Sequence, residues 1–366
     1  MNPRRLLLAA VLVSLAGAPR PAAADLATAL QDTLAAWHAA NLSAPGLLVH
    51  VVCPPAGLDS TFVLGTSDRA GSEPLTAAHT FRIASNTKTY QAAAVLRLVE
   101  QGRLGLDDPL ARHLDPGRAA LLRDDGYDLE RITLAQVLSH TAGLFEHPAD
   151  PRYAEAILAD PQRVWRADEQ VRLCMEWGDP VAAPGDTFSY SDTGYILLGG
   201  IVEDLTGQNL GQAVHRLLDY GRLGLDSTWW EIFEDAPGAA GPRCRQYYGE
   251  HDATGWHPSL DLYGGGGLLT DARDLAWFMR LLLQGQVLQE PATLAGMTGR
   301  GAPGYRLGLF RVELAGLRAW GHTGFWNTFA FHVPDLDLTV AGCSNDHFAA
   351  RGQVLAGKLT AAVAGR

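Results

Sequence analysis

The sequence predicts an α+β fold: one antiparallel sheet built from both chain ends, flanked by helices, with an all-helical domain inserted between the two halves. Three observations carry this reading. Strand-like runs lie near both ends of the chain, helical periodicity dominates the middle, and a helix opens and another closes the strand-forming parts. The 366 residues allow one large domain or two joined ones, and there is no internal repeat or low-complexity block.

The elements follow in order. Leu26, Leu30, Leu34 and Trp37 recur at helical spacing, and Pro45-Gly46 ends that helix. LLVHVVC (47 to 53) and STFVLG (60 to 65) read as strands, joined through Pro54-Pro55-Ala56-Gly57. FRIASNTKTYQAAAVLRLVEQG (81 to 102) predicts a helix with Val95, Leu96, Leu98 and Val99 on its apolar side and Gly102 as its stop. LDDPLARHL, TLAQVLSHTAGL, ADEQVRLCMEW and YILLGGIVEDLTG are helical pieces broken by Pro, Gly and Asp. A helix from about Asp271, capped by Thr270, buries Leu275, Phe278, Met279 and Leu282. YRLGLFRVEL, LRAWGHT, TFAFHV and DLTVAGC are strands, and a last helix covers about 348 to 364. The α/β part therefore takes about 25–110 and 261–366, and the helical insertion about 111–260. A site is expected in the crevice between them.

Residues 1–24 read as a signal peptide. Arg4 and Arg5 precede an apolar run from Leu6 to Ala16, and Ala22-Ala23-Ala24 offers a cleavage site before Asp25. The paired arginines fit an ordinary positive leader and also a twin-arginine one. No cysteine follows the run, so no lipid anchor is expected. The chain is expected to be exported, to a bacterial periplasm or the medium. Net charge is −11, and more negative once the leader's arginines are lost, which argues against nucleic acid or anionic membrane as partner. Four cysteines, Cys53, Cys174, Cys244 and Cys343, allow three pairings. Cys174 with Cys244 is the preferred pair, against four buried thiols. None has metal-ligand spacing, and no metal or organic cofactor is expected. Oligomeric state stays open.

The chemistry starts from a scarcity. Only Lys88 and Lys358 are lysines, among 29 basic residues. Lys88 follows Ser85 by three, which stacks the two side chains on one helix face. A serine hydroxyl needs a base within reach, and a lysine serves only if burial or nearby cations lower its pKa. Alone, a capping serine with a surface lysine is the plainer reading. Tyr190 and Asp192 lie in APGDTFSYSDTGYILLGGIVEDLTG (183 to 207), just before an apolar helix, and a tyrosine beside a lysine shares a proton. His322-Thr323-Gly324 ends a predicted strand in WGHTGFWN, where a substrate can lie along the edge and the glycine permits close approach.

Together, in this order, these pieces resemble the penicillin-recognising serine hydrolases: class C β-lactamases, serine D,D-peptidases, D-aminopeptidases and related esterases. Ser85 and Lys88 match the first motif, Tyr190 the tyrosine-x-asparagine motif, and His322-Thr323-Gly324 the third. LDDPLARHL, LSHTAGL, PGDTFSYSDTGYILLG and GGGGLLTDARDLAWFM also resemble the family. The resemblance implies a β-lactamase/transpeptidase-like fold without metal or cofactor. It implies acyl transfer, in which Ser85 attacks an amide or ester, Lys88 and Tyr190 carry the proton, and the N–H groups of Ser85 and Phe325 hold the oxyanion. Asp192, His322, Thr323, Gly324 and Phe325 would contact a small-molecule or peptide substrate.

Two departures matter. Asp192 stands where asparagine is usual. Its carboxylate is expected either to pair with Lys88 and raise its pKa or to favour a substrate with a free amine. An alternative reading takes Ser191-Asp192-Thr193 as the motif. His322 stands where β-lactamases have lysine, and a neutral imidazole holds a carboxylate less strongly. The expected activity is therefore D,D-carboxypeptidase, D-aminopeptidase or esterase, ahead of a class C-like β-lactamase or a catalytically weak covalent sensor. His140 reads as structural, His251 and His257 as loop residues, and Gly264 to Gly267 as close backbone packing. Trp326 and Tyr263 fit a cleft or a core equally. No Gly-x-Ser-x-Gly or His-Glu-x-x-His occurs.

Overall fold

The computed structural model describes residues 23–365. The expected signal peptide falls on residues 1–24, so all but its last two positions lie outside the described residues. Helix α1 (Ala23–Ala39) buries Leu26, Leu30, Leu34 and Trp37. Strands β1 (Gly46–Cys53) and β2 (Leu58–Gly65) form a hairpin whose Gly57 sits at φ 66°. Strand β3 (Thr80–Arg82) leads through a 3₁₀ turn, Ala84–Asn86, into α2 (Thr87–Glu100).

A mainly helical stretch follows: α3 (Pro116–Asp124), α4 (Leu134–Leu138), α5 (Pro151–Ala159), α6 (Ala167–Trp177), α7 (Asp192–Thr206), α8 (Leu210–Leu218) and α9 (Tyr220–Leu223). The short strands β4 (Trp229–Trp230), β5 (Tyr247–Tyr248), β6 (His251–Asp252) and β7 (Leu268–Asp271) then precede α10 (Ala272–Leu283) and α11 (Pro291–Gly299). The chain closes with β8 (Phe310–Leu314), β9 (Leu317–Gly324), β10 (Thr328–Val333), β11 (Leu338–Ser344) and α12 (Gly352–Ala364).

The main sheet runs β2-β1-β11-β10-β9-β8, with every neighbouring pair antiparallel. Val49 of the first hairpin faces Gly342 of the last strand, so the sheet joins the two chain ends as expected. Its strands β1, β10 and β11 are buried throughout because both faces there are covered. Leu30, Leu34, Leu355 and Leu359 of α1 and α12 pack with Phe329 and Phe331 on one side. Leu275, Phe278 and the α2 alanines pack with Leu48 and Ala341 on the other.

Three local expectations are corrected. Asp271, not Thr270, caps α10, accepting the Asp274 N–H at 2.8 Å. Thr270 is inside β7, with its hydroxyl 2.7 Å from that of Thr228. LDDPLARHL gives only a 3₁₀ turn at Leu110–Arg112, since Asp108 ties up the Gly105 N–H and His113 instead. The last helix starts at Gly352, because the segment before it is drawn sideways: His347 N–H donates to Tyr247 O and Ala350 N–H to Asn41.

Cys174 and Cys244 are buried and not bonded to each other, which corrects the Cys174–Cys244 pairing. Cys174 lies in α6 against the Tyr127 hydroxyl and Phe145 O, whereas Cys244 lies against Asn345 just past β11. Among the described residues no helix is long and apolar enough to cross a membrane. Alkylation under denaturing, non-reducing conditions is expected to label both Cys174 and Cys244; protection of the two together, measured by peptide mass, would show the disulfide.

Candidate active site

Ser85 sits in the turn between β3 and α2, and the turn is held hard against the sheet. Ala84 before it adopts φ 45°, a left-handed conformation that a non-glycine residue keeps only when its surroundings enforce it. The enforcing contacts are visible. Ile83 N–H donates to Leu268 O at 3.1 Å, the Thr328 hydroxyl donates to Ile83 O at 2.8 Å, and Asn86 Nδ2 donates to that hydroxyl at 3.0 Å. Gly324 completes the fit. A Cβ there would lie 2.2 Å from both Ile83 O and Thr328 Oγ1, so only glycine lets β9 approach the turn.

One turn along, Lys88 is fully buried. Its Nζ donates to Ser85 Oγ at 3.1 Å and to Gly265 O at 2.6 Å, and lies 2.6 Å from Asp192 Oδ1. Gly265 belongs to the glycine run before β7, where a Cβ would meet Asp192 at 2.9 Å. The run is close packing beside the site, as expected. Burial pushes the Lys88 pKa down, but the charge of Asp192, with Tyr190 and Asp261, outweighs it and holds the pKa above the ordinary lysine value. The lysine is thus an ammonium ion at rest.

The Tyr190 ring lies 5.0 Å from Lys88 Nζ. Burial raises its phenol pKa, while Lys88 and hydrogen bonds from Lys88 and Ser85 work to lower it. His140 positions this residue from below. The Ser189 N–H donates to His140 O, the Ser191 N–H to His140 Nδ1 at 3.1 Å, and the two rings stand 4.1 Å apart. Burial holds His140 neutral, so its proton is on Nε2. The Ser191 hydroxyl turns away to Phe145 O, so Tyr190 and Asp192 face Lys88 and Ser191 does not.

Two further carboxyls lie here that sequence reading missed. Glu146 Oε2 accepts the Asp192 N–H at 2.5 Å. Burial, then the Asp192 charge, push Glu146 well above the usual carboxyl range. Asp261 is pushed up to about 7, first by burial and then by Asp192. No spacing rule links positions 146, 192 and 261; only the fold brings them to one lysine.

Ser85, Tyr190, Asp192, His322, Thr323, Gly324 and Phe325 all line one groove of about 1070 Å³, together with Glu146 and Asp261. His322 is buried in its wall, with Nδ1 2.7 Å from Thr323 O and Nε2 3.0 Å from the Tyr305 hydroxyl. The carbonyl must accept, so Nδ1 carries the proton and Nε2 accepts from Tyr305. Both nitrogens are taken up within the protein. Burial, then the Lys88 charge, lower the His322 pKa to about 3. The Phe325 side chain is 46% exposed at the rim, stacked on Tyr248 and His347. Trp326 is buried against Trp256 in the same wall, whereas the Tyr263 hydroxyl is committed to Trp165 O. His251 is exposed, and His257 caps the turn at Ser259. Among the described residues no group of His, Cys, Asp or Glu is arranged to hold a metal.

Two outcomes follow from this geometry. Gly324→Ala should cost on the order of 1–3 kcal/mol in unfolding and depress hydrolase activity, because the strand must move off the Ser85 turn. The His322 imidazole resonances should stay fixed between about pH 5 and pH 8, since a ring neutral down to about 3 has nothing to titrate there. The stability that neutral His322 contributes is present above the ordinary histidine range and is lost as pH falls toward that value.

Known proteins share this fold. A D-stereospecific amidohydrolase from Streptomyces superposes with a TM-score of 0.78 at 29% identity, over 93% of this chain and 99% of that one. The D-amino acid amidase from Ochrobactrum anthropi SV3 shares the fold, with a TM-score of 0.79 at 22% identity and the same coverage. A Salmonella schwarzengrund protein, whose name gives it a provisional D-alanyl-D-alanine carboxypeptidase activity, is 27% identical over 290 residues. That match takes in 68% of this chain and 65% of the relative, so the chain spans less than two thirds of that protein's length. The β-lactamase family model matches residues 27–364, and the chain belongs to the β-lactamase family.

Proposed function

We propose that this chain is an exported serine hydrolase that cleaves an amide or ester bond next to a free amino group, through an acyl-enzyme on Ser85. The observation that carries the reading is the carboxyl cluster of Asp192, Glu146 and Asp261 in the groove that opens on Ser85. Lys88 pairs with Asp192, Glu146 is held as the acid, and Asp261, pushed up to about 7, still ionises near neutral pH, so the cluster suits a second cation, and a substrate ammonium supplies one. The two similar enzymes named for D-configured substrates support a D-amino acid amide or short D-peptide as the substrate class. Export rests on the character of residues 1–24, to the periplasm or the medium.

Ser85 Oγ attacks the carbonyl carbon. Once the Lys88 ammonium has given up one proton, the neutral amine takes the Ser85 proton, and Tyr190 relays it to the departing nitrogen or oxygen. The N–H groups of Ser85 and Phe325 hold the oxyanion, each worth about 3 kcal/mol in sites of this kind. Water then releases the acyl group. Thr323 and Gly324 give the substrate backbone an edge to lie along. His322 serves as wall rather than as ligand. D,D-carboxypeptidase and β-lactamase substrates both end in a carboxylate, which would want a cation where this imidazole stays neutral.

Turnover of D-amino acid amides should fall by at least about a thousandfold in Ser85→Ala and in Lys88→Ala. N-acetylation of the substrate should lower kcat/KM by about a hundredfold, the order expected when a buried carboxylate loses its partner. Rapid loss of benzylpenicillin, with no preference for a free amine, would instead support the β-lactamase reading.

A further inference from the structure

We infer that Asp192 gates the nucleophile: a substrate ammonium takes Asp192 away from Lys88, and Lys88 becomes the base for Ser85 only then. The inference rests on the free-amine reading above and adds to it a reason why the amine is required for chemistry as well as for binding.

In the resting site Lys88 is masked. It donates to Ser85 Oγ and so occupies the lone pair that must attack. It also donates to the neutral Gly265 carbonyl, stands beside the Tyr190 and Tyr195 rings, and pairs with the Asp192 carboxylate. Asp192 is also the member of the pair that substrate can reach. Its side chain is 17% exposed and lines the groove, while that of Lys88 is fully buried. The two charges are close but out of line, for no aligned hydrogen bond ends on Asp192 Oδ1. Oδ1 is buried on the Lys88 side, so an ammonium entering the groove meets the carboxylate through Oδ2.

The other groups around Lys88 do not replace Asp192. On the helical side stand Tyr190, Tyr195 and Glu146, with His140 and His147 beyond; from the loop before β7 comes Asp261, and from β9 His322. The histidines are neutral, burial keeps the phenols protonated, and Glu146 is held as the acid. Only Asp261 could share the charge, and it has no contact with Nζ comparable to the 2.6 Å of Asp192.

Once the ammonium pairs with Asp192, two effects act on Lys88 in the same direction. Its anion is engaged elsewhere, and a second cation stands nearby in a dry site; both disfavour the charged lysine. Lys88 Nζ gives one proton to water as the complex forms. The neutral amine then takes the Ser85 Oγ proton while the Oγ–C bond forms. It returns that proton through Tyr190 to the leaving nitrogen as the C–N bond breaks, so Lys88 ends the step neutral and the product amine leaves with the hydrogen. An N-blocked substrate has no cation to trigger the first step.

The test is calorimetry of D-alaninamide binding to Ser85→Ala at about pH 7, in buffers of different ionisation enthalpy, beside kinetics of Asp192→Asn. Binding should release close to one proton, and Asp192→Asn, which has no anion to surrender, should release almost none. In the same variant kcat/KM should rise about tenfold for N-acetyl-D-alaninamide and fall about a hundredfold for D-alaninamide. Tight binding and turnover of D-alaninamide without proton release overturns the gate and leaves the proposed function standing. So does Asp192→Asn with the wild-type preference for the free amine. If Ser85→Ala does not bind D-alaninamide and the native enzyme prefers the acetylated amide, the free-amine reading fails and the gate fails with it.

Discussion

A buried ammonium ion cannot be left alone, and this requirement organises the site. An unpaired charge in an apolar interior costs several kcal/mol even after relaxation. Lys88 has no exposed surface, so the protein must bring an anion and acceptors to it. They come from three places: Asp192 at the start of α7, Gly265 from the glycine run before β7, and Ser85 from the turn before α2. One cation thus pins the helical layer, the central loop and the Ser85 turn to one point.

The same constraint sets the ionisation of the neighbours. Glu146 and Asp261 are both raised, each first by burial and then by the charge of Asp192. His140 and His322 are lowered by burial and then by Lys88. The result is a dry site in which one ion pair carries the charge and surrounding groups adapt to it. Such a balance is sensitive to a single incoming charge, because low dielectric strengthens every term.

Rigidity comes from a different source. The left-handed Ala84, the Thr328–Asn86 clamp and the bare Cα of Gly324 fix the Ser85 turn against β9 and β10. These contacts hold the Ser85 backbone beside the strand edge before any substrate arrives, which is the geometry that oxyanion stabilisation needs. Charge is adjustable here while the backbone is not.

The sequence by itself determined the architecture and the central pair. Short apolar runs at both ends mark the strands, because a sheet covered on both faces buries successive residues of its inner strands, and the Ser85–Lys88 spacing is a helical repeat that any α-helix places on one face. The presence of Asp192 in the asparagine position was equally legible, but not which of its two expected consequences applies. Tertiary structure alone decided the rest. Asp192 meets Lys88 because α7 docks on α2, Glu146 and Asp261 arrive from loops with no common spacing, and His322 is silenced by Tyr305 across a strand. The capping of α10 by Asp271 and the unbonded Cys174 and Cys244 depend likewise on which groups already have partners. Local periodicity follows from backbone geometry and can be read along the chain. Charge state and hydrogen-bond allegiance depend on burial and distance, which exist only once distant segments have packed together.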